Sequence, residues 1–205
     1  MHGYGGRFVK SRNVVRLFFS TLLIGGFTTV IASFFVKWER YQEFLNPFDW
    51  FEVLGLIIVF SALGFVFSLV SQMGFFAYLT VNQFGLSIFR SFWPIIQVVL
   101  IGVTLFDLVY FRYKGVADES SIFPYLLVAM ALFVYSWIIA GIKAKETNRS
   151  AFIPALFFMI VVTTIEWVPG LRTNGGDYAW LMIVPLIICN TYQLLILHRL
   201  QDKKG

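Results

Sequence analysis

The chain has 205 residues, of which 59% are hydrophobic and 13% charged, with a formal net charge of +5 and a mean hydropathy of +0.78. Water-soluble domains carry about twice that charge, so the composition excludes a soluble enzyme, and it excludes a nucleic-acid-binding domain whose basic residues share one wet face. Cys189 is the single cysteine, which rules out an intrachain disulfide and a thiolate metal cluster.

The first apolar run, Leu17 to Val36, carries no charge and is approached by Arg7, Lys10, Arg12 and Arg16. Val30 and Ala32 make a tolerable signal-cleavage pattern, but a secretory signal has a hydrophobic region of only about 7–15 residues. This run is longer and is expected to remain as an anchor. The second run, Phe51 to Thr80, exceeds the ~20 residues that cross a hydrocarbon core of ~30 Å. Gln72 and Tyr78 appear late in it and Asn82 and Gln83 just after it, so its last turns are expected to lie in the interface. The remaining runs, Pro94 to Phe111, Ile122 to Ile142, Ala151 to Val168 and Tyr178 to Leu197, each approximate one crossing.

The expected fold is therefore all-α, a polytopic six-transmembrane-helix bundle with short loops. A single membrane domain over residues 17–198 would lie between a basic N-terminal tail, 1–16, and a C-terminal tail, 199–205. No run has the charged face that a helix in water needs, so the bilayer takes the place of solvent. Pro94, Pro124 and Pro154 fall in or near first turns, where a missing N–H does no harm. Pro169 is expected to help stop the fifth run. Pro185, well inside the last, should kink it unless neighbours satisfy the freed carbonyl.

Six crossings put both termini on one side. That side then holds Arg7, Lys10, Arg12, Arg16, Arg90, Lys143, Lys145, Arg149, Arg199, Lys203 and Lys204, against Lys37, Arg40, Arg112, Lys114 and Arg172 on the other. The bias predicts a cell-membrane protein with cytoplasmic termini. With 19% aromatic residues, an interfacial belt is expected from Trp38, Tyr41, Trp50, Trp93, Trp167, Tyr178 and Trp180.

Chemistry is scarce. The histidines, His2 and His198, stand at the two ends, which removes helix-borne zinc motifs and nucleophiles served by a membrane histidine. Asp107 and Glu166 are the acidic residues well inside apolar runs. A pair contributed by two helices stays open, but each stands alone on its helix, and reaching the interface or pairing with Arg112 or Arg172 is the simpler reading. No phosphate-binding loop or dinucleotide fingerprint occurs. Accordingly no catalytic, cofactor or metal site is expected, and no nucleic-acid partner.

The informative pattern is Ser61, Gly64, Ser68 and Ser71, which share one face of the second run. Small residues let helices approach closely, either within the chain or on a partner's helix. Gln97, Asn190 and Gln193 are expected to hydrogen-bond between helices, each contributing about 0.6 kcal/mol. A small transporter of a neutral or lipid-like solute stays open as the alternative, with a helix broken near Pro185.

Several stretches are familiar: K-S-R-N-V-V-R-L-F-F-S-T-L-L-I-G from Lys10, N-P-F-D-W from Asn46, M-G-F-F-A-Y-L-T-V-N-Q-F-G from Met73, F-I-P-A-L-F-F-M-I-V-V-T-T-I-E-W-V-P from Phe152 and Y-Q-L-L-I-L-H from Tyr192. Together they resemble the KinB-signalling pathway activation (KbaA) family of spore-forming bacilli, from about Lys10 to His198. The resemblance implies a membrane accessory factor, without catalytic residues, needed for the sensor histidine kinase KinB to feed the phosphorelay that starts sporulation. The first ten residues look like an extension of unassigned purpose.

Overall fold

The computed structural model describes residues 11–45, 49–115, 122–173 and 176–201. Expectations placed on the first ten residues, on Asn46 to Phe48, on the last four residues and on the side chains of Arg112 and Lys114 lie outside them. Among the described residues all regular structure is helical. Five stretches are long and apolar enough to cross a membrane: Arg12–Val36, Trp50–Tyr110, Phe123–Glu146, Arg149–Arg172 and Gly176–Leu197.

The second stretch, 61 residues long, turns back on itself. Helix α3 (Trp50–Phe89) ends in a 3-10 turn, Arg90–Phe92, which leads into α4 (Trp93–Gly115). In one straight helix Asn82 and Gln97 would stand about 22 Å apart. Instead Gln97 Nε2 donates to Asn82 Oδ1 at 3.3 Å, and Trp93 Nε1 donates to the same oxygen at 2.8 Å. Arg90 takes the left-handed backbone at the turn, with φ 48°. At 40 residues, α3 is about 60 Å long. It therefore runs well past the expected end at Thr80, because no proline interrupts it before Phe89 and Gly85 alone does not break a helix.

The helices gather into two compact units. The first contains α1 (Ser11–Val36), α2 (Trp38–Leu45), α3 as far as Gln72, and α8 (Gly176–Gln201). Helix α1 lies along α8 and meets α3 through facing glycines. The short α2 lies between the first two apolar runs, where the expected bundle has only a short loop, and it is amphipathic: Tyr41 is fully buried while Trp38, Glu39 and Arg40 are exposed. Tyr41 stacks on Phe34 at 4.2 Å and shares a 2.8 Å hydrogen bond with Ser33. Around it Ala32, Phe60 and Leu181 complete a core. Lys37 and Asp177 make a 2.6 Å surface ion pair. Helix α8 is continuous through Pro185, which is buried.

The second unit contains the rest of α3, then α4, α5 (Phe123–Glu146), α6 (Phe152–Phe157), a π-helical segment (Phe158–Val162) and α7 (Thr163–Arg172). Asn148 caps the turn into α6, accepting from Ala151 N at 3.1 Å. Aromatic rings fill the middle. Phe158 is fully buried, 5.6 Å from Phe75 and 4.8 Å from Tyr78. The π segment is the most buried part of this helix, with Phe158, Met159 and Ile160 all inaccessible. Pro169 does not stop the helix as expected: α7 continues to Arg172. With less than one turn left, the missing N–H forfeits a single bond near a helix end. The stop comes from Thr173, which is extended and donates its hydroxyl to Gly170 O at 2.8 Å.

Candidate functional site

In the first unit, α1, α3 and α8 meet through small and polar residues. Gly64 and Gly25 are the contact point of α1 and α3. A Cβ on Gly64 would stand 2.5 Å from Gly25 O and 2.7 Å from Gly26 Cα, and one on Gly25 would stand 2.6 Å from Ser68 Cβ. Of the four small residues on this face, Ser61 is half-buried, Gly64 buried, and Ser68 and Ser71 inaccessible. At Gly64 and Ser68 the facing helix thus belongs to the same chain.

Behind that contact lies a hydrogen-bonded cluster. Ser71 Oγ donates to Asn190 Oδ1 at 2.6 Å, and Gln193 Nε2 donates to Ser71 Oγ at 2.6 Å and to Cys189 O at 3.2 Å. Gln72 Nε2 donates to Phe18 O at 3.3 Å and to Ser68 Oγ at 3.2 Å. Main-chain carbonyls can only accept, so Phe18 O and Cys189 O fix both amide orientations. Ser71, Asn190 and Gln193 are brought together as interhelical partners. Gln72, expected in the interface, is buried instead and ties α3 to α1. These hydroxyls and amides include no acid or base, and their chemistry is that of holding helices.

In the second unit, Gln97 is inaccessible and bonds to Asn82. Trp93, expected in the interfacial belt, is 5% exposed and lies over Gly85, where a Cβ would come within 2.3 Å of the indole. Trp167 and Tyr41 are likewise buried, whereas Trp38, Trp50 and Trp180 are exposed. Asp107 is half-buried on α4. Glu166 on α7 is buried rather than reaching the surface, and its carboxylate lies directly on Gly74, where a Cβ would force that buried side chain to shift. Gly74→Ala is accordingly expected to lower thermal stability by about 1–3 kcal/mol. In the double variant with Glu166→Ala the two losses should be strongly non-additive, read by heat denaturation in detergent; full additivity would mean that the two residues do not meet.

Between α4 and α5 runs a groove of about 430 Å³ lined by Leu105, Phe106, Leu126, Met130 and Phe133. Its walls are apolar, so it orients no polar substrate. Among the described residues no group of three or more His, Cys, Asp and Glu is placed to hold a metal ion.

The sequence model of the family described as "KbaA: KinB-signalling pathway activation in sporulation" matches residues 25–200. The chain is also similar to the KinB-signaling pathway activation protein of Bacillus subtilis (strain 168), with 38% identity over 198 residues, covering 95% of this chain and 100% of that protein. No solved structure matches.

Proposed function

Because the chain belongs to the KinB-signalling pathway activation family, we propose that it is a non-enzymatic accessory factor of the cell membrane, activating a multi-pass sensor kinase of the KinB type by contact between membrane helices. Similarity along the full length of the Bacillus subtilis relative carries this reading. The surface is compatible with it. Polar side chains such as Ser71, Asn190, Gln193 and Gln97 bond inside the chain, and many exposed positions on the long helices are large and apolar, among them Leu23, Phe27, Ile58, Val99 and Ile138. Such a surface suits lipid and the apolar face of another membrane helix.

In this reading the turn at Arg90 divides the 61-residue stretch into two crossings. One membrane domain then crosses six times, and the Lys and Arg bias keeps both termini in the cytoplasm. Reporter fusions at Gly205 and Thr173 are expected to fall on opposite sides of the membrane. Expression of the chain in a Bacillus subtilis strain lacking the relative tests the function directly. Kinase-dependent phosphorelay output should return, and should also survive Asp107→Asn and Glu166→Gln. Failure to restore output from a correctly inserted chain would refute the assignment, and loss of output in a stably inserted carboxylate variant would favour an enzyme.

A further inference from the structure

The turn between α3 and α4 puts a cation where the backbone least favours a side chain. Arg90 has φ 48°, a conformation that glycine and asparagine adopt more readily. Its guanidinium is exposed and makes no hydrogen bond or ion pair among the described residues. Around it Phe84, Ile88 and Phe92 are each more than 60% exposed, and Phe89 stacks on Trp93 with ring centroids 6.1 Å apart. In water, so many exposed large apolar side chains within nine residues are unfavourable.

The depth of the turn within its own unit indicates what covers it. Helices α4 and α6 run in the same direction, each followed or preceded by α5 running back. Trp93 of α4 stands beside Phe157 of α6, with ring centroids 6.4 Å apart. Phe157 is about two turns, or ~12 Å, further along than Arg149, which with Lys145 is an exposed basic residue at the neighbouring turn. Arg90 lies roughly one turn before Trp93. The Arg90 turn is therefore recessed by several ångströms from the level of Lys145 and Arg149. If those two cations mark the wet edge of the headgroup layer, Arg90 and its apolar neighbours sit within that layer.

We propose that this turn binds the headgroup of an anionic phospholipid, with the Arg90 guanidinium on the phosphate oxygens and Phe84, Ile88 and Phe92 against glycerol and acyl carbons. Guanidinium forks match phosphate geometry, and aromatic side chains favour headgroup depth. A cation set among apolar side chains is complementary to an amphiphile. A free anion would leave the apolar residues uncovered. The proposal does not depend on the kinase or on which leaflet the turn meets.

The test uses the full chain in neutral detergent, titrated with phosphatidylglycerol or phosphatidylcholine of the same acyl chains, with bound lipid measured by native mass spectrometry. A preference of about fivefold for phosphatidylglycerol is expected, the effect of one basic residue at an anionic surface. Arg90→Gly and Arg90→Asn, which suit the left-handed backbone, should abolish the preference without lowering the melting temperature, and Arg90→Lys should keep part of it. Lys145→Gln with Arg149→Gln should leave it in place. The proposal is overturned if the wild type shows no preference, if the preference persists in both Arg90→Gly and Arg90→Asn, if it disappears with the Lys145 and Arg149 changes instead, or if inorganic phosphate displaces the lipid.

Discussion

Replacing Gly64 with leucine is expected to cost about 3 kcal/mol of stability, the upper part of the range for overpacking a tight contact. The reason is what faces it. A Cβ at Gly64 would meet the carbonyl oxygen of Gly25 at 2.5 Å and the Cα of Gly26 at 2.7 Å, and main-chain atoms cannot rotate away as a side chain can. Helices α1 and α3 would have to separate, weakening the bond from Gln72 to Phe18 O that also ties them together. Ser68→Ala supplies the contrast. It keeps a Cβ that already fits and removes only one acceptor from Gln72, so a loss of about 0.6 kcal/mol is expected. Denaturant titration in mixed micelles separates the two. Equal small losses would mean that the glycine contact is not tight.

Gly85→Val is expected to destabilise the second unit by about 2–3 kcal/mol. The indole of Trp93 covers Gly85 so closely that ring atoms lie 2.3–2.5 Å from where a Cβ would stand. A rigid bicyclic ring must then move as a whole. Moving it breaks the 2.8 Å bond from Nε1 to Asn82 and disturbs Gln97, which shares that acceptor, so the overpacking cost is joined by a buried donor left without its partner. With Trp93→Leu in the background, the penalty of Gly85→Val should fall, because a branched aliphatic side chain can repack. An undiminished penalty would place its origin elsewhere.

The long apolar runs, with charges confined to their flanks, made the helices legible in the sequence, and Pro94, Pro124 and Pro154 marked helix starts for a simple steric reason. Small and polar residues at helical spacing drew attention to Gly64, Ser71, Asn190 and Gln193, but spacing along one helix carries no information on which helix lies opposite. Other features depended on contacts across the chain. Helix α2 is a short segment of low mean hydropathy compared with the long runs, and the burial of Tyr41 depends on partners outside it, Phe34 and Ser33. Asn82 and Gln83 suggested the interface because isolated amides favour it; only the return of α4 makes Asn82 the acceptor for Trp93 and Gln97. For the same reason the sequence assigns Trp93 to the interfacial belt, since nothing local reveals that Gly85 leaves room for an indole. The π segment Phe158–Val162 and the left-handed Arg90 leave no mark in residue type, arginine being an unfavourable choice for that backbone.

Contact between this chain and a sensor kinase inside the bilayer is the claim on which the functional account turns. Photo-crosslinking residues placed singly at the exposed positions Leu23, Ile58, Val99 and Ile138, with the inaccessible Phe158 as control, test it in cells that make both proteins at native levels. The account predicts kinase adducts from exposed positions on at least one helix and none from Phe158. No adduct from any exposed position, in cells where the chain still activates the kinase, would contradict direct contact.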